Sequence, residues 1–242
     1  MEAHGALLLG ALEGVGMGLE DLLDLTPPFT LSQVAARLRD RVDELLRGYD
    51  QLSRDERIMV GRAVVEAYPD LSKAPPEALE LDYVGAFSEG VSVKGVKLGR
   101  WAFYAARSPF IQDSELGFGA LGESVNAVAV NCYFTSAALW MARDPVVVGG
   151  HLGYDALLRA SGVKCYVDSI ESLHETLSGV IVAKKLGRVV SPSTNLSIYC
   201  VEVWRGVEHC TLIDPKDFDH SITLEGLEDA FRKIRSKYGG RH

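Results

Sequence analysis

A chain of 242 residues and 26.3 kDa, 47% hydrophobic and 24% charged, can bury a sizeable core and has the balance of a soluble globular protein. A formal charge of −8 and a pI near 5.3 argue against nucleic-acid or anionic-membrane partners, which need a basic surface. No stretch is long enough to span a bilayer, and the apolar opening at Leu7–Leu12 lacks a basic flank, so the expected location is cytoplasmic.

Residues Glu2 to Leu25 carry leucines at helical spacing, interrupted by Gly14, Gly16 and Gly18. That glycine run follows no strand and lacks dinucleotide spacing, so it reads as a broken helix rather than a phosphate loop. Thr30 with Gln33, and Ser53 with Glu56, are capping boxes that open two helices, ending near Gly48 and before Pro69. Residues 1–70 therefore form a predicted helical region and residues 71–242 a predicted α+β core. A DNA-binding helix-turn-helix is disfavoured because no basic recognition face is present.

The pattern then changes. Val91 to Leu98 alternates like strands around a turn, and Phe110 to Gly122 reads as loop. Asn131 to Arg143 is a predicted helix with Cys132 in its first turn, where a helix N-terminus favours a thiolate. Val146–Val148 is a predicted strand, Gly149-Gly150 a turn, Tyr154–Ala160 a short helix closed by Gly162, and Val163–Val167 a strand. Asp168 with Glu171 signals another helix, to Gly187. Leu196–Trp204 and Val207–Asp214 read as a hairpin around Arg205-Gly206, and a last helix follows Thr223. No internal repeat stands out, and the order of elements predicts an α+β fold. The four cysteines lack metal-ligand spacing and read as free thiols of a reducing compartment. No cofactor is implied. Only six amides occur, a composition found in thermophiles.

Three segments in order resemble the transglutaminase-like, or papain-like, cysteine enzymes. They are Asn131-Cys132 with its small-residue helix, Leu157-Leu158-Arg159-Ala160-Ser161-Gly162-Val163, and Cys200 to Gly206 with Leu212-Ile213-Asp214-Pro215. The resemblance implies a cysteine-bearing helix packed on an antiparallel sheet. It also implies acyl chemistry, amide hydrolysis or transfer, on a peptide or protein substrate. Cys132 would be the nucleophile and Asp214 the acid that orients a histidine. A two-residue turn at Arg205-Gly206 places Ser197, not a histidine, opposite Asp214. It sets Glu202 opposite His209 and sends Cys200 and Cys210 to opposite faces, which disfavours a disulfide. His209 could reach Asp214 through a bulge; otherwise His151, His174 or His220 must serve. Asn126 could supply an oxyanion donor. The alternative is a non-catalytic relative, a binding or scaffold protein with a protein partner. Asp214-Pro215-Lys216 also matches a magnesium-nuclease element, set aside because proline interrupts it and the chain is acidic.

Overall fold

The computed structural model describes residues 18–204 and 209–239. The expected glycine-rich opening, apart from Gly18, and the expected turn at Arg205-Gly206 lie outside the described residues. Among the described residues ten strands follow one another: β1 (Ser92–Lys94), β2 (Lys97–Leu98), β3 (Phe110–Gln112), β4 (Glu115–Leu116) and β5 (Val128–Phe134). They continue with β6 (Val146–Leu152), β7 (Val163–His174), β8 (Gly179–Val190), β9 (Leu196–Val203) and β10 (Thr211–Leu212). Every pairing between them is parallel. Partners recur 18 residues apart: Ser92 with Phe110, Phe110 with Val128, Val128 with Val146, and Val146 with Lys164. Later coils are slightly shorter, pairing Lys164 with Val180 and Val180 with Ser197. The chain is thus a parallel β-solenoid of about six turns.

This overturns the expected α+β transglutaminase-like core. There is no cysteine-bearing helix: Cys132 lies in β5, and the residues after Phe134 form turns. Turns also replace the expected helix at Tyr154–Ala160, and strands β7 and β8 occupy most of the one expected from Asp168 to Gly187. The expected terminal hairpin is not antiparallel, since β10 runs parallel to β9 with Thr211 beside Tyr199 and Leu212 beside Cys200. The free-thiol reading changes too, because Cys200 and Cys210 are joined by a disulfide, while Cys132 and Cys165 are free and buried.

The interior is built of columns, one residue per coil. Ala102, Ala120, Ala138 and Ala156 form one, and Phe103, Leu121, Leu139 and Leu157 the next. Leu98, Leu116, Phe134, Leu152 and Ile170 form a third, and all thirteen residues are 0–2% exposed. Small residues let successive coils stack at strand spacing, and the larger ones fill the lumen. The turn side of each coil contains a repeating left-handed pattern. Positive φ recurs at Phe103, Leu121, Leu139 and Leu157 and at Ala105, Glu123, Met141 and Arg159. Non-glycine residues there cost on the order of 1 kcal/mol each. Hydrogen bonds between coils offset this, for example Leu121 N–H to Ala102 O at 2.8 Å and Leu139 N–H to Ala120 O at 2.8 Å.

One end of the solenoid is closed by helices. Both expected capping boxes are present, Thr30/Gln33 opening α2 (Leu31–Gly48) and Ser53/Glu56 opening α3 (Arg54–Ala67). A short α1 (Leu19–Leu23) precedes them and α4 (Pro76–Leu79) follows, and one apolar core runs unbroken from Leu19 to Cys200. The first coil rests directly on α3: Gly85 N–H donates to Gly61 O at 3.2 Å, and a Cβ on Gly61 would lie 2.3 Å from the Tyr83 backbone. Capping of this kind hides coil edges that would otherwise pair with other chains. The last helix, α5 (Leu227–Tyr238), packs Leu227, Phe231, Ile234 and Tyr238 on the outside of the sheet, against Tyr166, Val182 and Tyr199. No helix among the described residues is long and apolar enough to cross a membrane.

Candidate functional site

The residues expected to form a catalytic centre are not brought together. Cys132 is fully buried in β5, in the interior column of Ser114. Its Sγ lies 3.3 Å from Val130 O and 3.6 Å from Ile111 O, and burial pushes the thiol up to about 11. This is the opposite of an activated nucleophile. Asp214 lies beyond β10, five strand positions along the sheet from β5, or roughly 24 Å at the usual strand spacing. Its carboxylate accepts from Lys216 N–H at 3.0 Å and pairs with Lys216 Nζ at 2.9 Å, which lowers its pKa. Asp214 is therefore the cap of the 3-10 turn Pro215–Asp217. His209 is exposed beside the end of the solenoid. Asn126 occupies a left-handed position (φ 54°) on the turn side, where asparagine is well tolerated, and its N–H donates to Arg143 O at 2.9 Å.

His174 and His220 are outward and separate. His174 Nδ1 is 4.0 Å from Asp155 and His220 Nδ1 4.0 Å from Asp168. No cluster of three or more metal-ligating side chains occurs among the described residues. A cleft of about 430 Å³ lies against α5, lined in part by Lys216, Asp217, Asp219, Lys233 and Lys237. Its charges largely neutralise one another, as Lys237 pairs with Asp217 at 2.6 Å and Lys216 with Asp214.

Two other outer surfaces collect chemistry. The first is an aromatic corner on the turn side of the first four coils. Trp101 is its hub: its ring centroid lies 5.4 Å from Phe118, 6.1 Å from Tyr104, 6.3 Å from Trp140 and 6.5 Å from Tyr83. Phe87 adds an edge contact to Tyr104 at 5.8 Å. Glycine at 119 makes the packing possible, because a Cβ there would sit 2.5 Å from the Trp101 indole. Phe87, Phe118, Met141 and Tyr154 remain 52%, 41%, 42% and 60% exposed. Tyr154 continues the column of Phe118 two coils on, since Gly119 N–H donates to Ser136 O and Ala137 N–H to Tyr154 O. Exposed Arg54 lies beside Tyr83 and Tyr104, whose proximity raises its pKa. Exposed Arg100, Arg107 and Arg143 pair with no carboxylate among the described residues.

The second surface is a polar ladder on the outer face of β5 to β8. Tyr133, His151, Ser169 and Lys185 are successive register partners. Tyr133 stacks on the His151 ring at 4.7 Å, and His151 Nδ1 is 2.7 Å from Ser169 Oγ. Glu171, two residues on from Ser169 and on the same face, places Oε1 3.6 Å from His151 Nε2. Neither surface could be assembled from sequence without the 18-residue register. The signal was present in Trp101-Ala102-Phe103, Gly119-Ala120-Leu121, Ala137-Ala138-Leu139 and Asp155-Ala156-Leu157.

Compared with known proteins, the chain matches no family model, no curated protein and no solved structure.

Proposed function

We propose that this chain is a binding scaffold and that the aromatic corner is its working surface, engaged by a protein partner. The observation that carries this reading is the Trp101-centred cluster, with four large apolar side chains left in solvent across neighbouring coils. Exposed apolar patches with polar rims mark interaction sites, and tryptophan, tyrosine and arginine dominate the energetics of protein interfaces. The rings pack on one another, mostly edge to face, so the corner offers knobs rather than open stacking platforms. That favours a polypeptide over stacked nucleic-acid bases. Unpaired arginines around the patch favour acidic segments in the partner.

The test is selection from a random peptide display library on the immobilised protein. The comparison is a Phe87→Ser/Phe118→Ser/Tyr154→Ser triple variant, whose exposed positions leave the core intact. Enriched peptides that bind the wild type and lose at least ~30-fold affinity for the variant support the reading, about 2 kcal/mol at the interface. No enrichment, or equal binding to both proteins, refutes it.

A further inference from the structure

Independently of the aromatic corner, we infer that Ser169 is an activated nucleophile that accepts acyl groups, with His151 as its base. Five outward side chains on neighbouring coils supply the parts of such a site. Ser169 Oγ lies 2.7 Å from His151 Nδ1, within proton-transfer distance. His151 Nε2 is buried and makes no hydrogen bond, and the nearest carboxylate, Glu171 Oε1, is 3.6 Å away. A proton on Nε2 faces that carboxylate and leaves the Nδ1 lone pair for the serine hydroxyl, which is the tautomer a general base needs. The Tyr133 ring, stacked at 4.7 Å, fixes the plane of the imidazole. Lys185 is the register partner of Ser169 on the following coil, so an exposed ammonium stands on the same face as the serine. It is placed to stabilise negative charge on an acyl oxygen.

The chemistry balances without a cofactor. Ser169 Oγ attacks the acyl carbon while its proton passes to His151 Nδ1. The bond from that carbon to the leaving alkoxide or thiolate breaks, and the imidazolium returns the proton to the leaving group. The acyl group then rests on Ser169 as an ester, to be passed to an acceptor alcohol or amine that His151 deprotonates in turn. The face is open rather than enclosed, so the substrate class is small, activated acyl donors, esters or thioesters of unbranched acids. Ser169 and His151 touch the reacting atoms; Glu171 is a positioning residue.

The experiment is acetylation by p-nitrophenyl acetate, followed by nitrophenolate release and by peptide mass spectrometry. The expected result is one acetyl group on Ser169, none in Ser169→Ala, and a rate at least ~100-fold lower in His151→Gln. Glu171→Gln should slow acetylation and Glu171→Asp restore part of the rate, which loss of packing alone would not do. Lys185→Met should slow acetylation and Lys185→Arg restore it. Thermal melts establish that each variant is folded, and the site of acetylation in the wild type stands even where a variant is not. Acetylation that spares Ser169, or that His151→Gln leaves unchanged, overturns the inference.

Discussion

The burial of Cys132 makes a quantitative prediction about its reactivity. Its thiol is raised from 9.0 to about 11, chiefly by desolvation, with a smaller contribution from Asp113. Two units mean roughly a hundredfold less thiolate at any pH below 9, before steric protection is counted. Iodoacetamide labelling, followed at peptide level from pH 6 to pH 9, should therefore be at least ~100-fold slower at Cys132 in native protein than in urea-unfolded protein. The same shift has a consequence for stability. A folded-state pKa above the unfolded one favours the neutral thiol, so this contribution is whole below about pH 9. It is lost as pH rises towards about 11, by about 3 kcal/mol. Cys165 is raised by burial as well and acts in the same direction. Urea midpoints measured from pH 7 to pH 11 should stay level and then fall, and Cys132→Ala should fall less steeply. Native labelling of Cys132 near pH 6 at the rate of a free thiol would refute the buried-column account and restore the case for a nucleophile.

Other substitutions test the architecture. Phe134→Ala empties a fully buried lumen position and should cost about 3–5 kcal/mol, read as a lower urea midpoint with unchanged slope. Ser53→Ala removes the hydroxyl that accepts from Glu56 N–H and should lower stability by about 1 kcal/mol, a loss of about 2–4 °C in Tm. Gly99→Ala places a Cβ 2.2 Å from Glu80 O and 2.4 Å from Leu81 O, so it should loosen the seam between α4 and the first coil; hydrogen exchange should rise there first. Asp214→Asn, on an exposed turn, should leave the urea midpoint and the acetylation of Ser169 unchanged.

Local signals in the sequence located α2, α3 and α5. The two capping boxes located α2 and α3 because a cap is written in four adjacent residues. The leucine and aromatic spacing after Thr223 located α5. The solenoid escaped for an arithmetic reason. Eighteen residues are five turns of an α-helix and nine alternations of a strand. Columns at that period keep phase with both patterns, so Ala138, Leu139 and Ala142 imitate a helix face while filling a lumen. Leu157-Leu158-Arg159-Ala160, which carried part of the family resemblance, is one copy of a coil motif also present at Ala137 to Ala142. Asp168 and Glu171 imitate a capping box, yet they lie in β7 with Glu171 aimed at His151. The His151–Ser169 pair joins residues 18 apart, and no local rule relates them.

The 18-residue repeat also sets a unit of length for this molecule. Inserting one residue within a strand turns the rest of that strand inside out, while the turns absorb changes in coil length, since Ile181 and Ile198 are register partners 17 residues apart and both buried. Adding or removing a whole coil, such as residues 119–136, leaves the columns above and below in phase. The coil is therefore the natural unit of gain and loss. Excising it would set Trp101 beside Ala137 and Ser114 beside Gly150, shortening the binding corner while the helical cap and α5 stay as they are.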